Sequence, residues 1–133
     1  MTKFNLLVVA VLSSVFANAA FADLAAVMDD MATNMKTITK QASDSTLNAS
    51  STTLCDTVIA DVAQAQTFTP DTIAKLPADQ QAAAQQSYVA LLGTLSTQLS
   101  TLKADFVAND NTDAVSELAV INATKANGHK QFQ

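Results

Sequence analysis

Six apolar residues, Tyr88, Leu92, Leu95, Leu99, Leu102 and Phe106, recur at steps of 4, 3, 4, 3 and 4. That spacing lays a single stripe along a helix and suits packing between helices in a bundle. A strand would alternate with period two, so this stretch cannot serve as one. No proline falls within it and Gly93 is its one glycine, in a chain of 133 residues with only two glycines and two prolines. A long helix from about Asp79 to Val107 is therefore expected. No alternating pattern occurs elsewhere, and the fold class is all-α.

The flanking segments supply partners for that stripe. A first helix is expected from about Asp23 to Gln41, where Leu24, Val27, Met28, Met31, Met35 and Ile38 recur at three- and four-residue steps. Asp23 is a natural N-cap, and Asp29 and Asp30 fall on the solvent side. The Ser-, Thr-, Asn- and Asp-rich segment 43–53 reads as a loop with a short turn around Leu47. A second helix from about Ser51 to Thr67 carries Leu54, Val58, Ile59 and Val62, and Thr69-Pro70-Asp71 stops it. Residues 69–79 form a connection anchored by Ile73 and Leu76. After the turn Asn109-Asp110-Asn111-Thr112, a fourth helix capped by Thr112 or Asp113 runs through Val115, Leu118, Asn122 and Lys125 to His129. Four amphipathic helices with connections of moderate length imply an antiparallel up-down-up-down four-helix bundle. In that topology the start of helix 1 and the end of helix 4 lie at the same end.

Residues 1–22 have the make-up of a secretory signal peptide: Lys3 at the start, an apolar run from Leu6 to Phe16, and small residues at Ala20 and Ala22. The run is too short to span a bilayer. Cleavage is expected after Ala22, with Ala19 as the alternative, leaving residues 23–133 as one exported domain. The chain has 12 acidic residues against 7 basic ones, a net charge of −5, and Lys3 leaves with the leader. All the basic residues are lysine, and such a balance argues against nucleic acid and anionic membranes, which call for basic patches. The single cysteine, Cys55, excludes an intramolecular disulfide and reads as a buried, inert thiol. The sequons at Asn48 and Asn122 are chance matches, and the aspartate pairs Asp29/Asp30 and Asp110/Asp113 are solvated caps. No nucleophile, base and orienting group occur together, so no enzyme activity is expected.

His129 is the only histidine, so any imidazole chemistry at neutral pH belongs to it. A lone histidine near a chain end is ordinarily a solvated residue. Reckoned from Val115, however, 14 residues at about 100° each bring it within roughly 40° of that position and about 20° of Leu118. On this reckoning the imidazole points into the core. Met28 shares the stripe of Leu24, Met31 and Met35 at the same end of the bundle. A thioether and an imidazole facing each other across a helical core are the axial pair of a low-spin haem iron.

At these residues the chain resembles the soluble cytochrome b562 family, which also exemplifies the up-down bundle. The resemblance is carried by Ala22-Asp23-Leu24 followed by Met28, by Thr69-Pro70 closing helix 2 and by Leu91-Leu92-Gly93 in helix 3. It is completed by His129 with four residues after it, one of them aromatic. It covers residues 23–133, with additional residues around the turn between helices 3 and 4. The resemblance implies one non-covalent haem b per chain, with Met28 and His129 as axial ligands. Tyr88 is the helix 3 aromatic facing the cofactor, and Lys125 stands one turn before the histidine, where the family often has arginine. It further implies a periplasmic electron-transfer protein, a monomer acting with an unidentified redox partner protein. The absence of a CxxCH sequence excludes thioether attachment. Gly128 is expected to weaken the last helical turn. The contrasting expectation is a haem-free periplasmic bundle, a binding or stress protein with soft-metal affinity through the helix 1 methionines.

Overall fold

The computed structural model describes residues 23–133, so the expected leader lies outside the described residues. Five α-helices and one 3-10 turn make up the described chain, with no strand among them. Helix α1 spans Leu24–Gln41 and starts on Asp23, whose side chain accepts from the Ala25 N–H at 3.1 Å. It buries Val27, Met31, Met35 and Ile38 and leaves Asp29 and Asp30 exposed. Helix α2 spans Asn48–Ala65, α3 is the single turn Asp71–Ala74, α4 spans Ala78–Val107 and α5 spans Asn111–Phe132.

Helix α4 buries Tyr88, Leu92, Leu95, Leu99, Leu102 and Phe106, the stripe that its spacing predicts. The expectation of a loop over 43–53 holds only in its first part. After a 3-10 turn at Ser45–Leu47, capped by the Asp44 carboxylate, helix α2 begins at Asn48. The cause is tertiary. Asn48 is buried and its amide donates to the side-chain oxygens of Asn109 at 3.0 Å and Asn111 at 3.1 Å. The Asn111 amide in turn donates to the Ala42 carbonyl at 2.7 Å and to Asn48 Oδ1 at 2.9 Å. Nearby, the Ser51 hydroxyl donates to Gln41 Oε1 at 3.0 Å. Polar residues that favour loops in isolation here hold together the end of α1, the start of α2 and the turn from α4 to α5.

Two other expectations shift by part of a turn. The buried stripe of α2 is Cys55, Val58, Val62 and Ala65, with Leu54 and Ile59 half-buried beside it. Cys55 is free, fully buried, and its thiol is pushed up to about 11 by burial, which makes it inert at neutral pH. Helix α5 is capped by Asp110, whose side chain accepts from the Asp113 N–H at 3.1 Å, and not by Thr112 or Asp113. Its buried stripe is Ala114, Leu118 and Ile121, while Val115 is 46% exposed. Alanine marks the helix face less clearly than valine in a sequence, yet it is the smaller residue that fits between close helices.

Helix α1 packs on α2, α2 on α4, and α4 on α5. Helices α1 and α5 make no comparable packing, so one side of the bundle is left unzipped. The connection between α2 and α4 is short and fastened. Pro70 precedes α3, Ile73 is buried, and Gln85 on α4 donates to the Phe68 carbonyl at 3.0 Å. Among the described residues, no helix is long and apolar enough to cross a membrane.

Candidate functional site

The unzipped side opens into a cavity of about 990 Å³, within the size range of cofactor sites. Helix α1 contributes Leu24, Met28, Met31 and Met35 to its wall, and α4 contributes Tyr88, Leu91, Leu92 and Leu95. Helix α5 contributes Ile121, Thr124, Lys125, Gly128, His129 and Phe132, and the connection after α2 contributes Phe68 to Thr72. All four residues singled out in the sequence, Met28, Tyr88, Lys125 and His129, line this one cavity. Lys125 is the only lysine on the lining, where the carboxylates are Asp23, Asp29 and Asp71.

The two candidate ligands stand at the flanks of their helices' buried stripes. His129 is exposed and does not point into the core as reckoned from Val115. Counted from the buried Ile121, eight residues place it roughly 80° round the helix, whereas Gly128 and Phe132 lie within about 20° of Ile121. Met28 is half-buried, on the side of α1 shared with Leu24. A side chain in such a flanking position is left uncovered by the adjacent helix and borders the gap. The imidazole Nδ1 is hydrogen-bonded to Gln133 Oε1 one turn further on.

Tyr88 forms the back wall. It is 3% exposed, and its hydroxyl donates to the Ala65 carbonyl at 2.8 Å. Burial pushes the phenol up to about 12, so it stays neutral across the physiological range. Its ring meets Phe132 edge-to-face at 5.4 Å, and Thr72 Oγ1 donates to the Phe132 carbonyl at 2.9 Å. These contacts explain why α5 continues through Gly128 to Phe132 despite the weak helix propensity of glycine. The glycine also has a steric role. A Cβ there would stand 2.9 Å from Leu91 Cδ2, so any larger residue displaces Leu91, itself part of the wall.

Sequence reasoning missed Phe68, Leu91, Gly128 and Gln133 as parts of the site. Phe68 follows the end of α2, where no helical period flags it. Leu91 reads as a flank residue beside Leu92, and the role of Gly128 exists only through its neighbour. Gln133 has a signal in retrospect: it stands one helical turn after the only histidine, the spacing at which helix side chains meet.

The residues fit a haem group. The cavity is mostly apolar, and a thioether and an imidazole stand on the two helices that bound it, the donor set of Met/His haem iron. Cys55, the only cysteine, does not line it. No curated protein and no solved structure matches the chain. A sequence model of cytochrome b562 matches residues 23–133, which is the whole described part. The chain therefore belongs to the cytochrome b562 family, a family of haem-binding electron carriers.

Proposed function

We propose that this is a periplasmic electron-transfer protein that holds one non-covalent haem b between Met28 and His129, in an antiparallel up-down-up-down bundle. The observation that carries the reading is that Met28 on α1 and His129 on α5 line one mostly apolar cavity, on two helices without the close packing of the other neighbours. The topology is supported by the hydrogen bonds at the two ends. Those of Asn48 and Asn111 join the end of α1, the start of α2 and the turn from α4 to α5. That of Tyr88 joins the first half of α4 to the end of α2, and that of Thr72 joins α3 to the end of α5.

Haem bound there supplies one-electron chemistry between ferric and ferrous iron. Met28 and His129 would hold the iron through a thioether and an imidazole, and an iron held by protein donors alone suits a carrier over an enzyme. A thioether opposite an imidazole raises the potential. Tyr88, Leu92 and Leu95 would exclude water from the inner side, and Lys125, the one lysine on the lining, would offer a cation to the porphyrin carboxylates.

Titrating the apoprotein with haemin at the Soret band tests the proposal. One equivalent should bind and give split, sharp visible bands on reduction. His129→Ala should abolish the six-coordinate spectrum, because no second imidazole exists in the chain. A bis-axial low-spin spectrum surviving in that variant would overturn the assignment. Met28→Ala should leave haem bound but high-spin with a lower potential, and an unchanged spin state would move the ligand to Met31 or Met35. A featureless spectrum after haemin addition would favour the haem-free bundle, whose three helix 1 methionines line the same cavity.

A further inference from the structure

The imidazole of His129 sits on an exposed rim, where nothing in the helix itself fixes its tautomer or its rotation. A metal-binding imidazole works through one nitrogen, and the hydrogen bond made by the other decides which nitrogen is free. We propose that Gln133 is the positioning residue for His129, its side-chain carbonyl accepting from Nδ1–H so that Nε2 keeps its lone pair and is turned to the cavity. This rests on the haem reading above.

Three contacts hold the last turn in place. Phe132 is seated against Tyr88 at 5.4 Å, its carbonyl accepts from Thr72 Oγ1 at 2.9 Å, and the Gln133 N–H donates to the His129 carbonyl at 3.2 Å. Gln133 is thus held by the seated Phe132 before it and by its own backbone bond to His129, and its amide oxygen reaches the Nδ1 side of the ring. An amide oxygen has a further chemical consequence. It is neutral, so it orders the imidazole without drawing its proton as a carboxylate would. The imidazole keeps a moderate donor strength, which matters more for ferric than for ferrous iron.

The single histidine makes the test clean. In the 23–133 chain labelled with 15N-histidine, without haem and at alkaline pH, the wild type should show Nδ1 protonated and Nε2 bare. Gln133→Leu should lose that preference. An identical tautomer in both proteins would overturn the proposal. With haem bound, Gln133→Leu should weaken ferric haem binding by about tenfold, the lower end of the effect of removing such a partner. The reduction potential should rise in Gln133→Leu and fall in Gln133→Glu, because a carboxylate strengthens the imidazole as a donor and a leucine weakens it. A merely structural role would shift both variants in the same direction, and that result would also overturn it. Failure of the haem reading is separate: it shows as wild-type protein that binds no haemin, whatever the tautomer.

Discussion

The two ends of the bundle are built from the same helices and end differently. At one end Leu99, Leu102 and Phe106 are at most 1% exposed, and the Asn48, Asn109 and Asn111 amides tie the helices together. At the other, Met28 and Leu91 are half-covered, His129 is exposed, and the 990 Å³ cavity stands between α1 and α5. The first end is complete with its own side chains. The second holds its aromatic wall rigidly through Tyr88 and Phe132 and keeps the space in front of it free. The cavity is thus made by withholding packing between α1 and α5 at one end, while polar bonds fasten the helices at both.

The largest test of this contrast is a pair of truncations in the apoprotein. Leu102→Ala should destabilise by about 2–5 kcal/mol, the cost of a cavity in a closed core. Met28→Ala should cost well below that range, because Met28 already borders open space and little packing is lost. Chemical denaturation of both variants without haem measures this. Equal losses would mean that the cavity end is packed as tightly as the other.

Haem should then act on the open end alone. At about a hundred times its dissociation constant it should add roughly 2.7 kcal/mol, since it binds the folded chain and not the unfolded one. In the apoprotein, helix content should be near native, with amide exchange along about Lys125–Gln133 and the first turn of α1 faster than at the closed end, while the Phe132 contacts keep the last turn formed. Haem should slow exchange there first. Equally slow apoprotein exchange at both ends would count against the contrast and for the haem-free reading.

The glycines give a smaller, two-sided test. At Gly93 the nearest atom to an added Cβ is Gln66 Nε2 at 3.8 Å, so Gly93→Ala should stabilise by up to about 1 kcal/mol through helix propensity. Gly128→Ala gains the same propensity but displaces the Leu91 side chain, for which the cavity is the available room. The apoprotein should therefore change little in stability, while haem affinity falls. Thermal melts of the apoproteins and haemin titration of both variants separate the two effects.

The smallest expected effect lies away from both ends. Asp61 on α2 has one buried carboxylate oxygen without a partner, and burial followed by the nearby charge of Asp30 raises its pKa. A raised folded-state pKa means that the folded protein holds the proton more tightly than the unfolded chain. The penalty for ionised Asp61 is therefore absent below the ordinary aspartate range and sets in as pH rises through the raised value. Asp61→Asn should raise the melting temperature slightly at pH 7 and not at acidic pH, as read from melts at the two pH values.

Much of the helical layout was legible before the structure, because regular spacing and caps are local. Tyr88 to Phe106 on α4 and the Asp23 cap depend on residues within a turn or two of each other. The site was legible in its ligand candidates and not in their orientation. Val115 looked like the marker of the α5 core face, but Ala114 holds that place, and the error carried His129 from the rim into the core. The helical start at Asn48 was hidden for the same reason, since its partners Asn109 and Asn111 are about sixty residues away.

By itself the sequence determined an all-helical chain, the helix breaks at Thr69-Pro70 and Asn109-Asp110, the acidic balance, and the placing of three methionines on the first helix and the one histidine on the last. These follow from period, propensity and composition, which act along the chain. Only the tertiary structure decided that α1 and α5 stand apart, that Gly128 makes room for Leu91, that Phe132 closes on Tyr88 and that Gln133 reaches the His129 ring. Each of these depends on which helix becomes the neighbour of which, and on the space left where neither neighbour is close enough to fill it.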